Sequence, residues 1–138
     1  MRTMRTMLDT NVLISMFLFP SGTMKRLKYY LCKNHQILLC SYVVEEMKDV
    51  VSRKFLSKKS ELDLFFLTFP FDFVYTPEYF DTKEYPQMRD DSDLPVLISA
   101  ILGAADVLIS GDKDFCDVEI DRPEILTPAE FLERYCPT

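Results

Sequence analysis

Histidine is almost missing from this chain: among 138 residues only His35 is one. It stands between Asn34 and Gln36 in an expected turn, so histidine-driven acid–base chemistry has nothing to run on. Cysteine is present but unpatterned. Cys32, Cys40, Cys116 and Cys136 contain no CxxC pair, and with one histidine the usual spacings of a zinc site are absent. Reduced thiols in a cytoplasmic protein are the expectation. No apolar run approaches the ~18 residues of a membrane span. The opening MRTMRTMLDTNVLISMFLFP imitates a leader, but Asp9 and Asn11 interrupt it and no small-residue cleavage site follows. Internal repeats, low-complexity tracts and Gly/Ser linkers are also lacking. Residues 1–138 therefore read as one domain, long enough for a real core and too short for two.

Positive charge is in deficit. A net charge of −6 and a pI near 4.8 exclude a phosphate grip spread over the whole surface, which would need excess Lys and Arg. Two local basic groups remain, Lys25, Arg26, Lys28 and Lys33, then Arg53, Lys54, Lys58 and Lys59. Each taken alone reads as a solvated helix face.

Short apolar runs alternate with longer helical patterns. Strands are expected at Met4 to Leu8, Gln36 to Cys40, Phe71 to Tyr75, Val107 to Ser110 and Glu124 to Leu126. Helices are expected from Thr10, which can cap the first, at Thr23 to Lys33, from an N-cap at Ser41 to about Arg53, and at Lys58 to Thr68. A loop over residues 76–89 leads to a helix apolar almost all round, Leu94 to Leu102, which should be buried. Thr127, Pro128 and Glu130 spell a capping box opening a last helix to about Tyr135. Strands separated by helices imply an α/β fold with a mostly parallel sheet covered on both faces, a three-layer α/β/α sandwich. Ligands of such sheets bind beyond the carboxyl ends of the strands.

Four acids stand where elements begin or end: Asp9 in LDTNVLIS, Glu46 in SYVVEEMKDVV, Asp93 in RDDSDLPVL and Asp112 in ISGDKDF. A fold that packs these segments together gathers carboxylates in one cleft. Like charges at ~4 Å repel by about 1 kcal/mol in water and more in a drier site, and a cation is the natural compensation. Carboxylate oxygens without thiolate or imidazole suit Mg²⁺ or Mn²⁺. Asp9 alone could equally be a helix cap. Glu46 is separated from Glu45 by helix geometry: Val43, Val44, Met47, Val50 and Val51 form a stripe, and at about 100° per residue Glu46 lies at its edge while Glu45 points away. Asp93 opens the most buried helix, where an unpaired carboxylate is costly, while Asp91 or Ser92 is the expected cap. Gly111 permits a sharp turn after a strand, with Asp112 and Asp114 beyond it.

In this order and spacing, LDTNVLIS, SYVVEEMKDVV, RDDSDLPVLISA and ISGDKDF resemble the four motifs of the PIN-domain family. More narrowly they resemble the small bacterial and archaeal members described as toxins of VapC-like systems. The resemblance covers nearly the whole chain. It implies metal-ligating or metal-organising roles for Asp9, Glu46, Asp93 and Asp112, with Asp114 as a further metal ligand and Asp90 as an auxiliary acid. Asn11 and Ser110 match positions that support the site by hydrogen bonding, Ser110 standing where threonine is usual. Met47 replaces a usual leucine. The implied activity is Mg²⁺- or Mn²⁺-dependent endoribonuclease, with RNA as substrate and an antitoxin protein as candidate partner. A non-catalytic PIN-like binding module is the alternative, opposed by the presence of every core acid. A DxD phosphatase is disfavoured by Asn11, and a receiver domain by the lack of an acidic neighbour to Asp9. The 18 Phe and Tyr residues leave room for an apolar homodimer face.

Overall fold

The computed structural model describes residues 2–115 and 117–136; Cys116 lies outside them, and among the described residues Cys32, Cys40 and Cys136 are free thiols. Five strands form one sheet, β1 (Arg5–Leu8), β2 (Gln36–Cys40), β3 (Asp72–Val74), β4 (Val107–Ile109) and β5 (Glu124–Leu126). Every pairing is parallel and the order is β3-β2-β1-β4-β5. The helices are α1 (Thr10–Leu18), α2 (Gly22–Asn34), α3 (Ser41–Lys54), α4 (Lys59–Thr68), α5 (Leu94–Leu102) and α6 (Pro128–Tyr135). They flank the sheet as α/β/α layers. β1, β2 and β4 are buried along almost their whole length, as parallel strands covered on both faces must be.

The central strand is the first in sequence. From β1 the chain winds outward through β2 to β3, then returns to lay β4 and β5 on the other side. The winding reverses between β1 and β4, and the carboxyl ends of those two strands form the crevice where such sheets bind ligands. Leu8 pairs with Ile109 in register, and the Asp9 N–H donates to the Ile109 carbonyl at 3.2 Å. Residues 9 and 110 thereby leave the sheet side by side.

α5 is buried through Leu94, Val96, Leu97, Ile98, Ser99 and Ala100. The Thr127 capping box is present in full, with the Glu130 N–H on Thr127 Oγ1 at 3.1 Å and the Thr127 N–H on Glu130 Oε1 at 3.0 Å. The expected caps of α1 and α3 are replaced. α1 is capped by Asp9 and not by Thr10, because only the residue before the first helical turn can reach the free N–H groups within it. Ser41 lies inside α3, whose N-cap Cys40 makes no side-chain bond. Ser41 Oγ instead accepts the Thr76 N–H at 2.9 Å and Thr76 Oγ1 accepts the Tyr42 N–H at 3.2 Å, tying the chain after β3 to the start of α3.

The lone histidine is a core residue. Its Nδ1 accepts the Met4 N–H at 3.0 Å, and its ring packs against Tyr30 and Phe131 at centroid distances of 5.2 and 6.0 Å. The basic residues sit on helix faces, Arg53 paired with Asp49 and Lys58 with Glu61.

Candidate metal centre

Asp9 is 5% exposed and uses both oxygens. Oδ1 accepts the Val12 N–H at 2.9 Å, and Oδ2 accepts the Ser110 hydroxyl. Cap and cleft acid are thus one residue doing two things. Burial is the main influence on its carboxyl and pushes the pKa up, the Ser110 and Val12 bonds oppose this, and the charges of Asp112 and Glu46 add to the rise. Ser110 Oγ also accepts the Asp112 N–H at 3.0 Å, and Asp112 Oδ1 accepts the Asp114 N–H at 2.9 Å. These side-chain bonds shape the turn after β4. Gly111 has no positive φ and nothing within 4 Å of where a Cβ would stand, so the turn does not need glycine's freedom.

α3 buries Val43, Val44, Met47 and Val51, which leaves Glu45 exposed and Glu46 half-buried. A cleft of about 80 Å³ brings Glu46 together with Asp9, Asp93 and Asp112, walled by Thr10, Asn11 and Tyr42. Asn11 is exposed and makes no side-chain hydrogen bond to another described residue, so the hydrogen bond reaching Asp9 from a side chain is that of Ser110.

Asp93 ends a single 3-10 turn, Asp91–Asp93. The cap of that turn is Asp90, whose Oδ1 accepts the Ser92 N–H at 2.9 Å, and not Asp91 or Ser92. The expectation missed the extra turn before α5, which shifts the capping position back. Asp90, Asp93 and Asp114 offer oxygens that lie within 4.8 Å of one another, placing Asp90 and Asp114 beside Asp93 and not on the walls of the small cleft. The Asp93 carboxyl is pushed up to about 7, first by burial, then by the charge of Asp112 and the hydrogen bond shared with it, then by Asp90 and Asp114. Asp93 and Asp112 therefore link two groups of acids, Asp9 and Glu46 on one side, Asp90 and Asp114 on the other.

A family model described as PIN domain matches residues 5–114. The chain belongs to the PIN-domain family. Among solved structures it is similar to VapBC2 from Rickettsia felis, determined bound to a DNA fragment from their promoter. The TM-score is 0.67 and the identity 22%, over 89% of this chain and 97% of that one; at that identity the likeness is one of fold. No curated protein matches the chain.

The acidic groups of this PIN domain fit a divalent cation by donor chemistry, all of them carboxylate oxygen. The ion pairs of Arg2, Arg53, Lys58, Arg89, Arg122 and Arg134 run to Asp106, Asp49, Glu61, Asp117 and Glu124, not to Asp9, Glu46, Asp93 or Asp112. Thr10 lines the cleft, and its buried Oγ1 has no hydrogen-bond partner among the described residues. Sequence reasoning passed over Thr10 as anything but a cap. It also missed Tyr42, whose hydroxyl donates to the Ser92 carbonyl at 3.2 Å and whose pKa is raised by burial and by Glu46 and Asp93. The signal was available: Tyr42 precedes Glu46 by one helical turn and shares its face.

Proposed function

We propose that this PIN domain is a divalent-metal-dependent endoribonuclease acting in the cytoplasm as a single domain, the toxin of a toxin–antitoxin pair. The observation that carries the reading is the set of carboxylates gathered at the reversal point of the sheet. Asp9, Glu46, Asp93 and Asp112 would hold Mg²⁺ or Mn²⁺, with Asp114 beside Asp93 as a further ligand and Asp90 as an auxiliary acid. A bound cation of this kind polarises a phosphodiester and lowers the pKa of an attacking water. The chain itself supplies position: Ser110 and the Val12 N–H fix both oxygens of Asp9, and Tyr42 ties the Asp93 turn to the helix that carries Glu46. An antitoxin protein and a second copy of the chain are the partners this reading carries. The exposed Leu64, Leu67, Phe73 and Tyr75 offer apolar surface for them. Among the described residues no helix is long and apolar enough to cross a membrane.

The test is cleavage of mixed RNA with chelator, then with Mn²⁺ or Mg²⁺ restored. Cleavage should vanish in chelator and return with metal, at least as strongly with Mn²⁺, which binds such sites more tightly. Undiminished cleavage in chelator refutes the metal centre. Binding without cleavage under every condition would make the chain a binding module.

A further inference from the structure

A second cavity, of about 340 Å³, adjoins the acidic cleft and shares Tyr42 with it. Its walls are more apolar than its neighbour's: Tyr42, Pro77, Phe80 and Pro95 line it together with the exposed Glu45 and Glu78. The walls are held in place. The Tyr42 hydroxyl is fixed on Ser92, Phe80 packs edge-on against Tyr85 at 6.3 Å, and the Ser41–Thr76 hydrogen bond pins the start of α3 to the segment after β3. Pro95 is the second residue of α5, two positions after Asp93, so the two cavities meet along the same few residues. Neither Glu45 nor Glu78 forms an ion pair or hydrogen bond within the described residues.

We propose that this cavity takes the base of the nucleotide next to the scissile phosphate, and that it selects guanine. The inference rests on the ribonuclease reading, since a phosphodiester in the acidic cleft would place a neighbouring base within a residue's reach of Tyr42. Unstacked RNA bases are held by stacking on aromatic side chains, and a volume of this size admits one base with room to orient it. The two carboxylates do not repel a neutral ring. A carboxylate only accepts hydrogen bonds and takes two parallel donors best. Guanine offers two adjacent N–H donors on its Watson–Crick edge, whereas uracil offers one between two carbonyls that a carboxylate repels.

Nucleosides carry no phosphate, so titrating guanosine and uridine into the metal-free protein probes the cavity independently of the metal centre. Amide NMR signals of Tyr42, Thr76 and Phe80 should move with guanosine and much less with uridine. In cleavage of short RNAs differing at one base, kcat/KM should favour guanine over uracil by roughly 10- to 100-fold. Glu78→Gln should collapse that ratio, and Phe80→Ala should lower kcat/KM for the guanine substrate by roughly 5- to 100-fold. The proposal is overturned if neither nucleoside moves those signals, which would leave the cavity to a protein partner, or if uridine moves them equally. If guanosine binds there but no RNA is cut, the nuclease reading fails and the guanine site stands.

Discussion

Replacing Asp93 by Asn tests whether the acids repel one another in the metal-free protein. In the folded chain Asp93 has its carboxyl pushed from 3.8 up to about 7 by burial and by Asp112, Asp90 and Asp114. The folded state thus holds this proton more tightly than the unfolded state. Between about pH 4 and 7 the folded form binds more protons, so stability from this group is present at low pH and is lost as pH rises through about 7. At pH 8 the wild type carries the full repulsion, and a charge pair at ~4 Å costs about 1 kcal/mol in water and several times that at lower effective dielectric. Asp93 is half-exposed, and solvent screening favours the lower figure. Asp93→Asn should therefore stabilise the metal-free protein at pH 8 by roughly 0.5–2 kcal/mol, or about 3–5 °C in Tm per kcal/mol at this length. The gain should shrink at pH 5, where wild-type Asp93 relieves itself by taking up a proton. Mn²⁺ at ~100 times its Kd adds about 2.7 kcal/mol to the wild type, and Asp93→Asn should gain markedly less. Thermal melts of both proteins, in chelator and in Mn²⁺ at both pH values, decide it. If Asp93→Asn melts well below wild type in chelator at pH 8 and both gain equally from Mn²⁺, Asp93 is a structural residue of the turn.

Glu46→Gln should lower cleavage of every RNA by roughly 10²-fold or more while the melting transition survives, as expected where a group stabilises charge at the reacting centre. Glu45→Gln, on the neighbouring cavity, should lower kcat/KM only toward guanine-containing RNA; reversed effects in parallel assays would show that the face of α3 is wrongly placed. His35, 9% exposed, has its pKa lowered by burial, and its Nδ1 accepts the Met4 N–H. The unfolded state binds this proton more readily, so its stability contribution is present above about pH 6.5 and is lost as pH falls. Protonation also breaks the Met4 bond, worth about 1 kcal/mol. Measured as the difference between the Asp93→Asn protein and the same protein carrying His35→Gln as well, so that the raised Asp9 cancels, the contribution of His35 should fall from pH 7 to pH 5, and a difference that does not change with pH contradicts the reading.

The elements were legible because each is written in local pattern. The apolar runs of β2 and β4 read as strands while β1, RTML, was written only weakly, the Thr127 capping box named the start of α6, and the apolar stripe of α3 separated Glu46 from Glu45 by helical periodicity alone. The caps were less legible. Asp9, Thr10, Asp90, Asp91 and Ser92 all have side chains that can cap, and which one does depends on a single turn of register that propensity cannot fix.

What the sequence determined by itself is therefore the order of strands and helices, the faces they bury and the four acids, Asp9, Asp93 and Asp112 at element ends and Glu46 within α3. The tertiary structure alone decided how those acids meet. Ser110 reaches Asp9 across a separation of 101 residues because β1 and β4 pair at the point where the winding of the sheet reverses. The lift of Asp93 comes first from burial and then from Asp112, Asp90 and Asp114, two of which belong to a different segment. Tyr42 acquires its place between two cavities only because α3, α5 and the chain after β3 converge. Charge repulsion and hydrogen-bond geometry act over a few ångströms of space, and no local pattern records which distant residues will occupy that space.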